Sequence, residues 1–312
     1  MSVLVSVVIP TYNRANKIFT CLESIVSQTY KSIEIIVVDD GSTDDTELKI
    51  SNRKSGDSAW SNVVYYKQVN QGAPIARNFG LTKSTGKYVV FFDSDDVMLP
   101  TRIEKQVNTI ESEGSDSCTC GFVNSVTGET YIPSIENGND YIGSLIHWKL
   151  LGSTQCWMYR RDILVKIGGY NVNYSCYQDW DITFRYLVAS KKVSLVKESL
   201  SVFVDDESFD RITRQVQSDK RIPYIGGYYL NVFRWLLYNG KNYKLINEVI
   251  FFYVANVTLA YKKMEKQKES KASYFLFKEA LDTSGLLSKA RCNFLYFKHY
   301  LKGMSEERKA RA

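Results

Sequence analysis

Three carboxylates directly follow a strongly apolar segment of the sequence. Residues 88–96 read YVVFFDSDD, so Asp93, Asp95 and Asp96 come at the end of five apolar or aromatic residues. The apolar run predicts a buried strand, and ligands of α/β proteins bind at the carboxyl ends of strands. Close carboxylates repel one another unless a cation or hydrogen-bond donors compensate them. A hard divalent metal that also contacts a substrate phosphate is one such cation, and capping of the next helix is the alternative.

Two further predicted strands end in polar clusters. PTYNR at 10–14 follows the first strand, and DDGSTD at 39–44 follows the second. Carboxyl ends of parallel strands meet at one edge of a sheet, so these clusters are expected near the three carboxylates. Tyr12 offers a flat ring on which a base can stack. Asp39 and Asp40 can accept hydrogen bonds from a base N–H or a ribose hydroxyl.

Strand and helix patterns alternate over the first 125 residues, which predicts an α/β fold with a mainly parallel sheet flanked by helices. Strands are predicted at 5–9, 33–38, 63–67, 88–92, 117–124, 155–159, 193–196 and 201–204. Helices are predicted at 15–28, from 44 onward, and at 74–84, 100–110, 162–167 and 179–190, and the chain beyond about 220 is expected to be helical.

Composition excludes several classes of site. The two histidines, His147 and His299, lie far apart in the sequence, which excludes a His-rich metal site and disfavours a Ser-His-Asp triad. The six cysteines form no CxxC pair and are expected to be reduced thiols. No stretch reaches the roughly 18 apolar residues needed to span a bilayer. The N-terminus is expected to be a first strand and not a signal peptide.

Charge is unevenly distributed along the chain. Residues 220–312 hold 18 Lys and Arg against 7 Asp and Glu, whereas the whole chain has a net charge of +6. A basic segment of this kind favours an anionic partner. Interleaved lysines and aromatic residues fit docking to an anionic membrane surface, and a helical cap on the preceding domain is the alternative. Nucleic acid is disfavoured because no recognised binding module accompanies the charge.

Six segments, taken in order, closely resemble the inverting, nucleotide-sugar-dependent glycosyltransferases of family 2. The resemblance covers roughly residues 3–205 and is carried by VSVVIPTYNR, SIVSQTY, EIIVVDDGSTDDT, NQGAPIARNFG, GKYVVFFDSDD and RRDILVKIGGY. It implies a GT-A fold, a Rossmann-like mixed sheet. We expect a catalytic domain at 1–219, with a nucleotide-sugar half at about 1–115 and an acceptor half at about 116–219. A basic helical extension is expected at 220–312.

The resemblance also implies roles for particular residues. Asp95 would bind Mn²⁺ or Mg²⁺, with Asp93 and Asp206 as further candidate ligands. Asp96 and Trp180 would contact the acceptor or the donor sugar. The donor nucleotide would be lined by Pro10, Thr11, Tyr12, Arg14, Asp39, Asp40, Arg77, Asp93 and Ser94.

An inverting reaction needs a general base for the acceptor hydroxyl. Similar enzymes carry Glu-Asp at a position where this chain has Gln178-Asp179 within YQDWD. The Asp is retained, so Asp179 is the expected base and Asp181 is the second candidate. Capping of the following helix is an additional use for Asp179.

The expected protein is therefore a metal-dependent inverting glycosyltransferase. It would move one sugar from a nucleotide-sugar, most readily a UDP-sugar, to a lipid-linked or growing surface glycan such as capsule, O-antigen or exopolysaccharide. We expect it in the cytoplasm, peripheral on the inner face of the cytoplasmic membrane. The alternatives are a nucleotidyltransferase, which would not need Asp179 as an acceptor base, and a non-catalytic glycan-binding or scaffold protein of the same fold.

Overall fold

A computed structural model describes residues 2–136, 138–205, 218–239, 243–253, 256–257 and 269 of the chain. The chain divides into two compact units, Met1–Phe209 and Asp210–Ala312. The first contains all the residues at the predicted strand ends.

The first unit is built on one nine-stranded mixed sheet, with strand order β3-β2-β1-β4-β8-β6-β9-β5 and β7 paired to β6. The strands are β1 (Val5–Thr11), β2 (Ile33–Asp39), β3 (Val63–Lys67), β4 (Tyr88–Phe91), β5 (Val97–Met98), β6 (Ser117–Asn124), β7 (Thr130–Tyr131), β8 (Trp157–Arg160) and β9 (Val193–Phe203). The helices are α1 (Ile18–Val26), α2 (Thr46–Gly56), α3 (Ala73–Lys83), α4 (Arg102–Glu113), α5 (Tyr141–Ile146), α6 (Arg161–Lys166) and α7 (Gln178–Ala189). Short 3-10 turns cover Ser58–Trp60 and Thr154–Cys156.

The directions of the strands bring the polar clusters to one edge. Strands β3, β2, β1 and β4 are parallel neighbours. Strand β8 runs antiparallel to both β4 and β6, so β6 points the same way as β4, and β9 is parallel to β6. The carboxyl ends of β1, β2, β4, β6 and β9 therefore share one edge, where α/β proteins bind their ligands.

Buried apolar strands explain why this sheet forms. All seven residues of β1 are buried, as are all four of β4. Strands covered on both faces read as continuous apolar runs, which is the pattern of VSVVI and YVVF. Helix α3 packs closely on this surface, because a Cβ on Gly80 would lie 2.3 Å from a methyl carbon of Val8. Close packing of α3 matters for the site because the helix carries Arg77.

The predicted sheet is confirmed, with local differences. The two strands predicted at 193–196 and 201–204 form one strand, β9, whose pairing with β6 is interrupted by register shifts around Gly121. The irregularity explains why the sequence pattern breaks there. The short elements β5, β7 and α5 were not predicted, because two to six residues are too few to show a period.

In the second unit, the described residues form two helices, α8 (Ser218–Tyr238) and α9 (Tyr243–Tyr253). They agree with the helical pattern predicted beyond about residue 220. No helix within the described part of the chain combines the length and apolar character needed to cross a membrane. The low-complexity charged run at 262–271 lies almost wholly outside the described residues.

Candidate functional site

A buried arginine connects the carboxylate loop after β4 with the start of α7. Arg77 lies on α3 and is only 5% exposed. Its Nη2 donates to Asp93 Oδ1 over 2.7 Å, and its Nη1 donates to Gln178 Oε1 over 2.9 Å. The guanidinium also lies over the ring of Tyr170, 5.0 Å from the centroid. The structure thus places Arg77 beside the first carboxylate of DSDD and next to a neutral partner at position 178. Its contact with the donor nucleotide stays a prediction.

The surroundings of Arg77 keep it charged. Burial alone opposes the charge, but attraction to Asp93, together with Tyr170 and Asp179, raises the pKa of Arg77 above its ordinary value. A fixed cation in a largely dehydrated position interacts strongly with anionic groups because screening by water is weak. Arg77 can therefore offset charge on neighbouring carboxylates and on a phosphate.

Asp179 lies in the first turn of α7, close to the same cation. Burial raises the pKa of its carboxyl group; attraction to Arg77 lowers it, and repulsion from Asp93 raises it further. The Thr154 hydroxyl lies against the same carboxyl group. Asp179 is nevertheless partly exposed. A carboxylate with a raised pKa and an open side has the properties of a general base.

Asp181, the second candidate base, is held differently. Its side chain is 3% exposed and forms an ion pair with Arg185, with Oδ2 at 2.8 Å from Nε and 2.7 Å from Nη2. Arg185 also donates to the carbonyl oxygens of Ile167 and Gly169. The Asp181 carboxylate thus joins α7 to the loop after α6, which is a structural use of the group.

The DSDD loop presents its carboxylates in different environments. Asp95 has a side-chain exposure of 11%, and its Oδ2 lies 3.8 Å from Arg14 Nη2. Asp96 is buried, and its Oδ1 accepts a hydrogen bond from the Val204 amide over 3.1 Å. Ser94 is also buried. The contact between Asp95 and Arg14 is longer than a hydrogen bond.

The donor groups present fit a hard divalent cation. Among the described residues, no three His, Cys, Asp or Glu side chains gather around one point. Mg²⁺ and Mn²⁺ do not require such a cage in a nucleotide site, because one or two carboxylates combine with substrate phosphates and waters. Asp95 and Asp93 supply carboxylate oxygens of the suitable type. Asp206, the third predicted ligand, lies outside the described residues.

Asp39 and Asp40 are buried and accept hydrogen bonds from the segments around the site. Asp39 Oδ1 accepts from the Ser42 amide over 2.7 Å, and its Oδ2 accepts from the Tyr65 hydroxyl. Asp40 accepts three hydrogen bonds from the loop between β3 and α3, from Gln68, Gln71 and Gly72. Both aspartates are nearly fully buried, at 0% and 4% exposed. The Asp39 carboxylate thus orders the loop after β2 and contacts Tyr65, and the Asp40 carboxylate orders the loop that leads to Arg77. The predicted contact of both with the donor nucleotide stays a prediction.

The loop after β1 is the open part of the predicted nucleotide pocket. Tyr12 is 47% exposed, so its ring is available as a stacking surface and is not a core residue. Pro10 and Thr11 are buried beneath it. Asn13 adopts a left-handed backbone, with φ at 50°, and its Oδ1 accepts from the Thr43 amide over 2.8 Å. This contact fixes the loops after β1 and β2 to each other.

An aromatic surface adjoins Asp179. Trp180 and Trp148 have ring centroids 4.5 Å apart, and Tyr177 lies 6.3 Å from Trp180. Trp148 is 46% exposed. Trp148 and Tyr177 both have positive φ, at 60° and 62°, which is unusual for bulky side chains and occurs often at functional sites.

Several residues of this site were not predicted. Gln178, Tyr170, Thr154 and Trp148 all contact a predicted residue, yet none was assigned a role from the sequence. Tyr170 ends the segment RRDILVKIGGY, so its position in that motif was the one available signal. The others depend on contacts between elements distant in the chain.

The sequence is similar to those of one family of known proteins. Residues 6–168 match the profile of the family described as "Glycosyl transferase family 2". The chain is 30% identical over 251 residues to the uncharacterized glycosyltransferase YibD of Escherichia coli K12, covering 76% of this chain and 71% of YibD. It is 42% identical over 111 residues to WfaP of Escherichia coli, described as a UDP-Glc:alpha-D-GlcNAc-diphosphoundecaprenol beta-1,3-glucosyltransferase, covering 35% of this chain and 42% of WfaP. Other relatives are matched over a smaller share, as with 19% of a Rickettsia bellii glycosyltransferase.

Solved structures share the fold. Staphylococcus aureus TarS (residues 1–349) in complex with UDP-GlcNAc superposes with a TM-score of 0.68 at 17% identity, covering 87% of this chain and 78% of TarS. The mannosyltransferase PcManGT of Pyrobaculum calidifontis, in complex with GDP-Man and Mn²⁺, has a TM-score of 0.60 at 17% identity, covering 95% and 81%. The predicted GT-A fold is confirmed.

Proposed function

This chain belongs to glycosyl transferase family 2, and we propose that it is a metal-dependent inverting enzyme that transfers one sugar from a UDP-sugar to a hydroxyl of a lipid-linked or growing surface glycan. The observation that carries the proposal is the convergence of Asp93, Asp95 and Asp179 on one sheet edge, with Arg77 contacting the first and lying near the third. A UDP donor is favoured by the description of WfaP and by the TarS complex.

In the proposed reaction, Asp179 removes the proton of the acceptor hydroxyl as that oxygen attacks C1 of the donor sugar. The new C–O bond forms on the face opposite the leaving nucleoside diphosphate, and the bond from C1 to the diphosphate oxygen breaks. The anomeric configuration therefore inverts. The raised pKa of Asp179 makes it a stronger base than an exposed carboxylate. The proton remains on Asp179 until solvent accepts it.

The residues around the diphosphate would stabilise the leaving group and orient the donor. Asp95 would hold the divalent cation, with Asp93 as the second candidate ligand, and a bound cation supplies charge stabilisation for the departing diphosphate. Arg77 adds a fixed positive charge on the same side. Tyr12 would stack on the base and Arg14 would lie next to the nucleotide. Holding both substrates in register supplies much of the remaining acceleration.

Asp96 and Trp180 would contact the acceptor or the donor sugar. A lipid-linked acceptor is favoured by the similarity to WfaP, a UDP-Glc:alpha-D-GlcNAc-diphosphoundecaprenol beta-1,3-glucosyltransferase. An acceptor of this kind lies at a membrane, and the net positive charge of residues 220–312 suits an anionic surface. We therefore propose a peripheral location on the cytoplasmic face of the cytoplasmic membrane. Sedimentation with anionic and neutral vesicles tests this, and equal binding to both would contradict an electrostatic contribution.

Donor turnover tests the main proposal. Nucleotide release would be measured with UDP-, GDP- and dTDP-sugars in Mn²⁺ or Mg²⁺ and again with EDTA. We expect UDP release from one donor, loss of release in EDTA, and loss in Asp95→Ala but not in Asp45→Ala, which changes an exposed carboxylate. Binding of UDP without turnover would indicate a missing acceptor. Absence of UDP binding would contradict the proposal and favour a scaffold.

A further inference from the structure

A cavity of about 600 Å³ opens at the same sheet edge, beside the residues assigned above. Its volume lies within the range of about 300–1,000 Å³ that is usual for small-molecule sites. Asn124, at the end of β6, and Phe203, at the end of β9, form part of its wall. The lining also includes Ser153 and Gln155, on either side of Thr154 in the chain.

The cavity is flanked by both halves of the candidate site. Next to Phe203, the Val204 amide donates to Asp96 Oδ1 over 3.1 Å. Next to Gln155, the Thr154 hydroxyl lies against the carboxyl group of Asp179. Because consecutive Cα atoms are about 3.8 Å apart, each wall is one residue away from a residue that lies next to a group assigned to the reaction.

The lining combines aromatic surface with polar side chains. The ring centroid of Phe122 lies 5.7 Å from that of Tyr131 and 6.1 Å from that of Phe203. All three residues are partly exposed. Asn124, Gln155 and Glu129 add amide and carboxylate groups. The C–H face of a pyranose ring packs on aromatic rings while its hydroxyls bond to such polar groups. A lipid chain would offer no hydrogen bonds to those polar groups.

The charge of the lining narrows the class of sugar. None of the eight lining residues within the described part of the chain is Lys or Arg, and one is Glu. A uronic acid or a phosphate-bearing unit would meet a carboxylate without a compensating cation. A neutral pyranose meets no such repulsion, and its hydroxyls can donate to Glu129.

We propose that this cavity, walled by Phe122, Asn124, Tyr131, Gln155 and Phe203, binds a neutral pyranose of the acceptor glycan. The assignment of the occupant as acceptor rests on the proposed glycosyltransferase function. It makes the acceptor a carbohydrate that is held by its own ring and not only by a lipid anchor.

The test is ligand-observed NMR on the full chain, in the presence of UDP and the diamagnetic cation Mg²⁺. The neutral probes are methyl β-glucoside and methyl β-N-acetylglucosaminide, and the anionic probes are methyl β-glucuronide and glycerol phosphate. We expect the neutral probes to bind with a Kd of about 1 mM, which is typical of weak binding of a single sugar ring. The anionic probes should bind at least about tenfold more weakly.

Variants locate the binding. Tyr131→Ala and Phe203→Leu should each weaken the neutral probes about tenfold, because they remove a flat ring face. Phe203→Leu keeps most of the apolar volume, so it is expected to fold even where Tyr131→Ala does not. Val126→Ala is the control, since Val126 is 69% exposed in the adjoining turn and does not line the cavity. Its affinity should equal that of the unchanged chain.

The assignment would be overturned if the neutral probes did not bind, or if their binding were unchanged in both Phe203→Leu and Tyr131→Ala. Equal or tighter binding of the anionic probes would also overturn it. UDP binding on the same samples separates this proposal from the proposed function. If UDP binds and the glycosides do not, only the cavity assignment fails. If the glycosides bind in the cavity but UDP and every donor do not, the glycosyltransferase proposal fails and a glycan-binding cavity stands.

Discussion

Arg77 and Asp93 form an ion pair of 2.7 Å in which the arginine is almost fully buried and the aspartate is 34% exposed. The pair connects α3 to the loop that follows β4. The same guanidinium reaches Gln178 at the start of α7. One cation thus contacts the residues proposed for the donor and lies beside the residue proposed as the base. Changes at Arg77 should consequently affect stability, donor binding and the base together.

Arg77→Leu should destabilise the fold and weaken UDP binding. Removing one partner of a buried ion pair costs about 3–5 kcal/mol. Because Asp93 retains contact with water, we expect about 2–3 kcal/mol, a lower figure than for a fully buried pair. Urea unfolding measures the loss of stability, and titration with UDP and Mn²⁺ measures the loss of affinity.

Arg53→Leu is the matched control for Arg77→Leu. Arg53 is 46% exposed on its side chain and lies 3.5 Å from Glu23 and from Asp57. Exposed pairs contribute about 0–1 kcal/mol. A loss of stability in Arg53→Leu as large as that in Arg77→Leu would contradict the special role given to the buried pair.

Asp179→Asn should abolish sugar transfer while leaving UDP binding intact, with a decrease in kcat of about 10²–10⁴ for loss of a general base. It should also stabilise the fold at neutral pH. The pKa of Asp179 is raised in the folded state, so the folded state binds the proton more tightly than the unfolded state. Stability therefore falls as pH rises from the pKa of Asp179 in the unfolded state, about 3.9, through its raised pKa in the folded state.

Thermal unfolding across this pH range measures the effect on stability. The Tm of Asp179→Asn should exceed that of the unchanged chain at pH 7. The difference should vanish in acid, where the Asp179 carboxyl group of the unchanged chain is protonated in both the folded and the unfolded state. Asp181→Asn is the control on the same helix turn. It should lower stability, because it weakens the ion pair with Arg185. Loss of turnover in Asp181→Asn, with Asp179→Asn active, would reverse the two assignments.

Much of the sheet could be predicted from the sequence, since buried parallel strands such as YVVF at 88–91 are continuous apolar runs with polar residues after them. The short strand Val97–Met98 could not, because two residues show no period. The interrupted pairing of β9 was predicted as two strands for a related reason, since the register shifts disturb the alternation of side chains.

The sequence predicted where the residues at the strand ends lie more readily than it predicted what their side chains bind. Asp39 and Asp40 lie at the predicted edge, yet their oxygens accept hydrogen bonds from Ser42, Tyr65 and the loop after β3. Whether a carboxylate faces a ligand or a neighbouring loop depends on contacts between distant segments. The bond between Arg77 and Gln178 spans 101 positions in the chain, and no local pattern indicates it.

Asp40→Asn should loosen the loop between β3 and α3. An amide nitrogen would replace one of the two oxygens that now accept from Gln68, Gln71 and Gly72. An N–H donor facing another donor leaves both without an acceptor, and we expect a loss of about 1–3 kcal/mol. Since this loop leads into the helix that carries Arg77, UDP affinity should also fall. Urea unfolding and UDP titration measure the two effects.

Asp45→Asn is the control for this change. Asp45 is an exposed aspartate five positions after Asp40, in the loop between β2 and α2. Surface substitutions of this type usually change stability by less than about 0.5 kcal/mol. If Asp40→Asn behaved like Asp45→Asn in both measurements, the loop would not depend on the buried carboxylate.

Tyr12→Ala should weaken nucleotide binding without destabilising the fold. The ring is 47% exposed, so its removal leaves no cavity in the core. Stacking of a base on an aromatic side chain is worth about 1–3 kcal/mol, which predicts roughly a five- to hundredfold increase in the Kd for UDP. Tyr12→Phe keeps the ring and should retain affinity, and Tyr238→Ala, at a side chain 92% exposed, serves as a surface control. Equal weakening by Tyr12→Phe and Tyr12→Ala would show that the hydroxyl, and not the ring face, contacts the nucleotide.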